Sequence, residues 1–223
     1  MLSLLVGGAR SGKSALALTM AERQASAVPG PGRGELGNRA DRDAADRYAA
    51  DRDAAADANA AAGPCGSTAR HMVFLATAES LDDEMAARIS AHQAERASRT
   101  SSWSTVEEPL DLASALAALP ESCGIVIDCL TLWASNTLAA GWADGTVLEH
   151  AHATAACAAA RPGPVVVVSN EVGSGIVPFD PVTRRYRDLL GRVNAVYSSH
   201  ANHAYLVVAG RLLELALPEQ AWI

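Results

Sequence analysis

The sequence predicts an α/β fold in which a mainly parallel β-sheet is flanked by helices. Two observations support this: short apolar runs recur along the chain, and stretches rich in helix-forming residues separate them. Strands that alternate with helices form parallel sheets with right-handed crossovers, and such sheets bind ligands beyond the carboxyl ends of their strands. We therefore expect the loops after Val6, Ala76, Ile127 and Val168 to lie on one side of the molecule.

The apolar runs are short, rich in Val, Ile and Leu, and apolar along most of their length, as is typical of strands buried on both faces. They predict strands at residues 1–6, 72–76, 124–128, 164–168 and 205–208. A shorter strand is predicted at residues 103–106, because Trp103, Thr105 and Val106 are aromatic or β-branched residues that favour strands.

The segments between these runs predict helices. Residues 81–97 carry Leu81, Met85 and Ile89 at a spacing of four, with acidic residues in the first turn, where negative charge suits the helix dipole. A further helix is predicted to open at Glu107 with Pro109 in its first turn. The full set of predicted helices is 14–26, 81–97, 107–119, 130–140, 146–160 and 181–199.

One segment departs from this pattern. Residues 28–37 are rich in Pro and Gly, and from Ala40 the chain repeats with a period of five, with Tyr48 its one apolar residue larger than alanine. Such a sequence cannot bury enough apolar surface to fix one conformation. We therefore predict a single domain over residues 1–223 with a low-complexity, mobile insertion at about 28–70.

Composition narrows the functional classes. A net charge of -7 and a pI near 5.3 argue against a general nucleic-acid binder, which would carry a basic face. The four cysteines form no C-x-x-C pair, and Cys123 and Cys129 flank an apolar run as buried thiols would. We expect a reduced, cytoplasmic setting with no signal peptide, and no apolar run approaches the roughly 20 residues that span a bilayer.

The segment GGARSGKS at residues 7–14 fits G-x-x-x-x-G-K-[ST], the phosphate-binding P-loop, and lies between a predicted strand and a predicted helix as that motif requires. Its glycines let backbone N–H groups point at phosphate oxygens, and the helix directs its positive end at the same anion. Lys13 would reach the β- and γ-phosphates and the Ser14 hydroxyl would bind Mg2+. The alternative is a chance glycine turn before a helix.

Asp128 ends an apolar strand downstream of the P-loop. P-loop enzymes hold a Mg2+-associated carboxylate at such a position, beside the P-loop serine. The alternative is a helix cap, because Thr131 and a predicted helix follow.

His92 is the candidate nucleophile. On a helix, Arg88, His92 and Arg96 share a face, and two neighbouring cations disfavour protonation of the imidazole. A neutral imidazole is nucleophilic, and the arginines could hold phosphates beside it. The alternative is an ordinary surface histidine.

The remaining polar clusters are weaker candidates. His150 and His152 lie on different helical faces, and His200 and His203 could share a helical face but have no cysteine or carboxylate close in sequence, so we expect solvated residues. The segment 169–178 contains glycines that permit close approach to a ligand, but an ordinary strand-to-helix turn explains it equally well.

Seven motifs in order resemble the adenosylcobinamide kinase/adenosylcobinamide-phosphate guanylyltransferase family. They are GGARSGKS, FLATA, LDDEMAARI-x-x-H, W-x-T-x-E, the strand ending at Asp128, NEVG-x-GIVP and RDLLGRVN. The resemblance implies a P-loop NTPase-like fold and two reactions. A nucleoside triphosphate phosphorylates adenosylcobinamide, and GTP then donates GMP to adenosylcobinamide phosphate through a guanylyl-histidine, which the resemblance assigns to His92.

The resemblance also implies the site, with His92 and Lys13 as catalytic residues and Ser14 and Asp128 as Mg2+ ligands. The nucleotide contacts that it implies are Gly7, Gly8, Ala9, Arg10, Ser11, Gly12, Lys13, Ser14, Ala76, Thr77, Ala78, Gln93, Ala94, Glu95, Arg96, Glu107 and Asp128. GTP and ATP are the expected nucleotides, and a homo-oligomer, a trimer, is the expected assembly. Two alternatives remain open at this point: a monofunctional P-loop kinase of another hydroxyl substrate, and a nucleotide-sensing module without turnover.

Overall fold

A computed structural model describes residues 1–27, 71–78, 94, 96–99 and 101–217 of the chain. The predicted insertion at 28–70 lies outside the described residues, as does most of the predicted helix at 81–97, including His92. The described part is an α/β structure with seven strands in one sheet and five helices, which confirms the predicted fold class.

The first six strands match the predicted strands to within two residues at each end, and the seventh was not predicted. The strands are β1 (Leu2–Gly7), β2 (His71–Ala76), β3 (Ser102–Glu107), β4 (Gly124–Asp128), β5 (Val165–Asn170), β6 (His203–Val208) and β7 (Arg211–Glu214). The central strands β1, β4 and β5 are almost entirely buried, as expected for a parallel sheet covered on both faces.

The helices are α1 (Lys13–Ala27), α2 (Leu112–Ala118), α3 (Leu130–Ala139), α4 (Asp144–Ala160) and α5 (Pro181–His200). Two of them begin at capped ends. The Asp111 carboxylate accepts a hydrogen bond from Ser114 N, and the Asp180 carboxylate accepts one from Thr183 N, so that each satisfies an N–H that the first helical turn leaves unpaired.

The order of strands across the sheet is β3-β2-β4-β5-β1-β6-β7. All neighbouring strands are parallel except β6 and β7, which form an antiparallel pair. The carboxyl ends of β1 to β6 therefore lie along the same edge of the sheet, as predicted. Strand β5 lies between the strand that leads into the P-loop, β1, and the strand that ends at Asp128, β4.

The sheet separates two hydrophobic cores. On one face, helices α2 to α5 pack against side chains such as Leu4, Ile127 and Val167. On the other face, α1 is the described helix, and its Ala17, Leu18, Ala21 and Ala25 pack with the opposite side chains of the same strands. The alternation of side chains along each strand explains this division, because neighbouring residues point to opposite faces.

Several boundaries differ from the predictions. Strand β7 was not predicted, because Arg211–Glu214 is exposed at the sheet edge and carries no buried apolar run. The helix predicted to open at Glu107 begins only at Leu112, since Glu107 pairs with Ala76 in the sheet.

The histidine prediction is also corrected. His200 ends α5 whereas His203 begins β6, so the two do not share a helical face. His203 Nδ1 instead lies 2.8 Å from Glu214 Oε1 of β7, within hydrogen-bond distance, and the rings of His152 and His200 lie in contact. Within the described parts of the chain, no helix combines the length and apolarity needed to cross a membrane.

Candidate functional site

The P-loop adopts the strand–loop–helix geometry that the motif predicts. Strand β1 ends at Gly7 and α1 begins at Lys13. Arg10 and Gly12 have φ of 56° and 94°, both in the left-handed region, and such turns direct successive N–H groups toward a common anion. The exposed loop residues Gly8, Ala9 and Arg10 leave this concave backbone open to solvent.

Gly7 lies where no side chain fits. A Cβ at this position would overlap the carbonyl oxygen of Val207 in the neighbouring strand β6, whereas a Cβ at Gly8 would meet nothing within 4 Å. The Gly7 carbonyl oxygen accepts a hydrogen bond from Glu171 N at 3.1 Å, and Ser11 O accepts one from Gly210 N at 2.9 Å. The P-loop is therefore held from both sides, by the loop after β5 and by the β6–β7 turn.

Lys13 is buried inside this loop, with 6% of its surface exposed. Its Nζ donates hydrogen bonds to Gly7 O at 3.0 Å, Gly8 O at 2.7 Å and Ser11 Oγ at 3.4 Å. Burial lowers the pKa of Lys13, and the negative charge of Asp128 opposes that shift. Phosphate oxygens would offer the same ammonium charged acceptors, which form stronger hydrogen bonds than neutral carbonyls.

Asp128 lies half-buried at the carboxyl end of β4, and its charge acts on Lys13 although β5 separates the two strands. Ser14 follows Lys13 in the first turn of α1 and is also half-buried. A carboxylate and a hydroxyl are hard oxygen donors that suit Mg2+, which commonly takes one or two protein ligands together with phosphates and water. Among the described residues, no group of three or more His, Cys, Asp or Glu side chains is placed to hold a metal ion.

The adjacent strand ends form a continuous row. Ala76 pairs with Glu107 on one side and with Asp128 on the other. With about 4.8 Å between neighbouring strands, Asp128 lies two strands and Glu107 four strands from β1, roughly 10 Å and 19 Å away. Glu107 is exposed and ends the edge strand β3. Of the predicted nucleotide contacts at strand ends, it therefore lies farthest from the P-loop.

Thr77 links the ends of β2 and β4. Its Oγ1 donates to Cys129 O and accepts from Cys129 N, both at 2.7 Å, and its N donates to Asp128 O at 3.1 Å. Thr77 is fully buried, whereas Ala78 is half-buried. The threonine thus fixes the backbone that carries Asp128, while its own hydroxyl is already engaged.

Cys129 itself is excluded as a nucleophile. Burial, with a smaller contribution from the Asp128 charge, raises the pKa of its thiol to about 12. A thiol with such a pKa remains protonated at neutral pH, and the thiolate is the reactive form. Both Cys123 and Cys129 are buried free thiols, as predicted.

The loop after β5 begins at the P-loop and then turns outward. The carboxylate of Glu171 accepts hydrogen bonds from the backbone N–H groups of Gly173 and Ser174. Further along, Ile176 and Phe179 are 97% and 100% exposed. An open cavity of about 620 Å3 separates this loop from α5, and none of the predicted nucleotide contacts lines it.

Three residues that support the strand ends were not predicted. Asn194 of α5 accepts a hydrogen bond from Ser169 Oγ and donates one to Asn170 O. Thr131 Oγ1 accepts a hydrogen bond from Asn170 N. Asn136 donates one to Thr77 O at 2.8 Å. Their partners lie 24 to 59 residues away in the chain, so no local spacing identifies them. Only the fold brings them to the strand ends.

Of the residues predicted around the nucleophile, Ala94 and Arg96 are described. Ala94 is helical and exposed, and Arg96 is buried with 4% exposure. The Arg96 guanidinium lies 3.9 Å from the centre of the Phe74 ring and donates to Thr105 Oγ1 at 3.0 Å. Arg96 therefore packs against β2 and β3, on the same face of the sheet as α1. His92, Gln93 and Glu95 lie outside the described residues.

Comparison with known proteins identifies relatives over most of the chain. The sequence model of a family described as Cobinamide kinase / cobinamide phosphate guanyltransferase matches residues 56–215. The bifunctional adenosylcobalamin biosynthesis protein CobP of Pseudomonas aeruginosa is 32% identical over 213 residues, which cover 94% of each chain. The CobU proteins of Escherichia coli and Salmonella typhimurium are each 36% identical, over 154 and 157 residues that cover 62% and 64% of this chain and 82% and 84% of theirs.

Proposed function

The chain belongs to the cobinamide kinase / cobinamide phosphate guanyltransferase family, and from this premise we propose that it catalyses both reactions at one P-loop site. First, a nucleoside triphosphate phosphorylates the aminopropanol hydroxyl of adenosylcobinamide. Then GTP donates GMP to adenosylcobinamide phosphate, which yields adenosylcobinamide-GDP and pyrophosphate. The observation that carries the proposal is Lys13, buried among P-loop carbonyls and within the field of Asp128.

In the kinase step, the hydroxyl oxygen of adenosylcobinamide attacks the γ-phosphorus, the bond to the bridging oxygen breaks, and the nucleoside diphosphate leaves. The P-loop N–H groups and Lys13 would hold the phosphates and stabilise the charge that moves onto the leaving group. The hydroxyl proton is released to solvent water as the new P–O bond forms.

In the transferase step we assign the nucleophile to His92. An imidazole nitrogen attacks the α-phosphorus of GTP, the α–β phosphoanhydride bond breaks, and pyrophosphate leaves. A phosphate oxygen of adenosylcobinamide phosphate then attacks the same phosphorus, the P–N bond breaks, and the imidazole is released. The labile P–N bond divides one difficult transfer into two easier ones. Gln93, Ala94, Glu95, Arg96 and Glu107 remain proposed GTP contacts.

Ser14 and Asp128 are the residues that would hold Mg2+, since a hydroxyl and a carboxylate are hard oxygen donors, Ser14 follows Lys13 in α1, and the charge of Asp128 acts on Lys13. Bound there with nucleotide, the ion would neutralise charge on the phosphates. GTP and ATP as nucleotides and a homotrimeric assembly stay predictions that the family resemblance implies. A cytoplasmic location and a single domain over residues 1–223 stay predictions from the sequence.

The test uses GTP with a radioactive α-phosphate and the full chain. We expect acid-labile label on the peptide that contains His92, and its transfer to adenosylcobinamide phosphate when that acceptor is added. A His92→Ala variant should lose this label and retain phosphorylation of adenosylcobinamide by ATP. A chain that phosphorylates another hydroxyl substrate and takes up no label would instead be the monofunctional kinase. The same label in His92→Ala would move the nucleophile elsewhere.

A further inference from the structure

We infer that Asn170 is a catalytic residue whose side-chain amide donates a hydrogen bond to the γ-phosphate of the nucleotide. The inference rests on the proposed function, because it requires a nucleoside triphosphate in the P-loop. Asn170 is not among the predicted site residues. It ends β5, the strand that separates the P-loop strand β1 from β4, which ends at Asp128.

The side chain of Asn170 lies on the face of the sheet that α1 covers. Along β5, Val168 belongs to the core on the α1 face, whereas Val167 belongs to the opposite core. Ser169 continues this alternation, since its Oγ donates to Asn194 Oδ1 of α5 on the opposite face. Neighbouring residues of a strand point to opposite faces, so Asn170 points to the α1 face.

Asp128 points to the same face by the same rule. In β4, Val126 packs in the core with α1 and Ile127 packs in the opposite core. Asp128 pairs with Val168, two residues before Asn170. With a strand spacing of about 4.8 Å and a rise of about 3.3 Å per residue, the Cα atoms of Asp128 and Asn170 lie roughly 8 Å apart. Asn170 thus lies between the P-loop and the proposed magnesium ligand.

The backbone of Asn170 lies beside the Lys13 ammonium. Asn170 pairs with Gly7 in the sheet. The Gly7 carbonyl oxygen accepts a hydrogen bond from Lys13 Nζ at 3.0 Å and another from Glu171 N at 3.1 Å. This second N–H belongs to the peptide bond that follows Asn170. In a P-loop, the backbone N–H groups surround the α- and β-phosphates and the lysine reaches the β- and γ-phosphates. The γ-phosphate would therefore lie next to Asn170.

The Asn170 backbone is held from both sides, which leaves its side chain for a ligand. Its N donates to Thr131 Oγ1 at 2.9 Å, and its carbonyl oxygen accepts from Asn194 Nδ2 at 3.0 Å. The side chain is half-buried, and no hydrogen bond between described residues involves its amide. A donor on a fixed backbone needs little reorganisation when an anion binds, which is the property of an efficient electrostatic catalyst.

This contact acts in the kinase step. The hydroxyl oxygen of adenosylcobinamide bonds to the γ-phosphorus, the bond to the bridging oxygen breaks, the nucleoside diphosphate leaves, and the hydroxyl proton passes to solvent water. The three outer oxygens of the γ-phosphoryl group share negative charge in the transition state. An amide N–H aimed at one of them stabilises this charge and holds the group in line for attack.

Two variants separate a phosphate contact from a structural role. Asn170→Ala removes the amide, and the nearly isosteric Asn170→Asp replaces the donor by an anion. A structural role predicts that the isosteric change is the milder one, whereas a phosphate contact predicts that it is the more harmful one. Asn202→Ala is the matched control. Asn202 is exposed and accepts a hydrogen bond from Leu2 N at the amino end of β1, at the edge of the sheet opposite the P-loop.

The experiment measures the affinities for ATP and ADP by calorimetric titration without Mg2+, and the rate of adenosylcobinamide phosphorylation at saturating ATP with Mg2+. We expect Asn170→Ala to bind ATP about tenfold more weakly and ADP within about twofold of wild type. Its kinase rate should fall about a hundredfold. In Asn170→Asp the affinity for ATP should fall about a hundredfold, with a smaller loss for ADP, because the new charge lies nearest the γ-phosphate. Asn202→Ala should keep the wild-type ratio of the two affinities and the wild-type kinase rate.

Several outcomes overturn the inference. Equal losses of ATP and ADP affinity in Asn170→Ala would place the contact away from the γ-phosphate, and unchanged affinities and rates would show no contact. An ATP affinity of Asn170→Asp equal to that of wild type would show that the side chain faces no anion. If wild-type protein binds no ATP, the proposed function fails and the inference fails with it. ATP binding that Lys13→Met abolishes and both Asn170 variants retain would remove the role of Asn170 alone. Should Asn170→Ala fail to fold, Asn170→Asp decides between these outcomes.

Discussion

Lys13 and Arg161 are both buried cations, but they connect different parts of the chain. Arg161, at the end of α4, donates to Leu116 O at 2.7 Å, to Leu119 O and to Pro120 O, some 40 residues away at the end of α2. Within the described parts of the chain, Lys13 donates only inside its own loop, to acceptors two to six residues away. The comparison indicates that Arg161 stabilises the contact between two helices, whereas Lys13 lies in the P-loop, where it could bind the phosphates of a nucleotide.

The largest expected effect is the loss of activity when Lys13 is replaced. Lys13→Met should lower both the kinase and the guanylyltransferase rates by about a thousandfold, because the charge on the phosphates then lacks its ammonium. Its unfolding midpoint in urea should stay near that of wild type, since a buried charge is replaced by an apolar side chain of similar length. Steady-state rates with ATP and GTP check the first statement. Retention of a tenth of either activity would contradict it.

Arg161→Met should show the opposite profile. The carbonyl oxygens at the end of α2 would lose buried charged donors, and we expect the free energy of unfolding to fall by about 3 kcal/mol. Urea denaturation followed by circular dichroism measures this change. Kinase activity per folded molecule should be retained at temperatures where the variant is folded. A stability equal to that of wild type would mean that α2 and α4 do not depend on this link.

A pair of glycines tests the loop that holds Lys13. Gly7→Ala should lower the free energy of unfolding by about 2 kcal/mol, because the new methyl group overlaps the Val207 carbonyl oxygen and β1 and β6 must separate. Gly8→Ala, with open space around its Cβ, should change stability by less than about 0.5 kcal/mol. Urea denaturation of both variants provides the comparison. Equal free energies of unfolding for the two variants would show that β1 and β6 can separate at little cost.

The smallest effect concerns the pH dependence of nucleotide binding. Binding needs the charged form of Lys13, and burial lowers the pKa of Lys13, so affinity should weaken on the alkaline side before an ordinary lysine would titrate. Asp128 raises that pKa, and Asp128→Asn should therefore move the alkaline loss of GTP affinity to lower pH. Calorimetric titration with GTP in the absence of Mg2+ isolates this effect from metal binding. A shift to higher pH would contradict the assigned sign.

The sequence was sufficient for the parts of the fold that local patterns determine. The apolar runs located five of the seven described strands, the short pattern at residues 103–106 located a sixth, and the P-loop motif located Lys13 between β1 and α1. The rule that parallel strands bind ligands at their carboxyl ends brought Asp128 and Ala76 to the same edge as Gly7.

Features that depend on residues far apart in the chain could not be predicted from local sequence patterns. Strand β7 has no buried side chain, and its pairing with β6 becomes visible only in the sheet. The start of α2 was misplaced because Pro109 suggested a first helical turn, whereas Asp111 caps the helix that forms. Thr131, Asn136 and Asn194 support the strand ends through hydrogen bonds between helices and loops. Glu22 accepts hydrogen bonds from Arg99 and Trp103, which lie 77 and 81 residues further along the chain.

The strand order has a consequence for how the chain folds as it is synthesised. The P-loop strand β1 is synthesised long before its two neighbours in the sheet, β5 and β6, which begin at Val165 and His203. Contacts between residues so far apart form slowly, and until then an apolar segment remains without its partners. A growing chain that stops short of β6 lacks the strand that packs against Gly7 and the turn whose Gly210 N donates to Ser11 O, so we expect the P-loop to reach its final form only after β6 has been made.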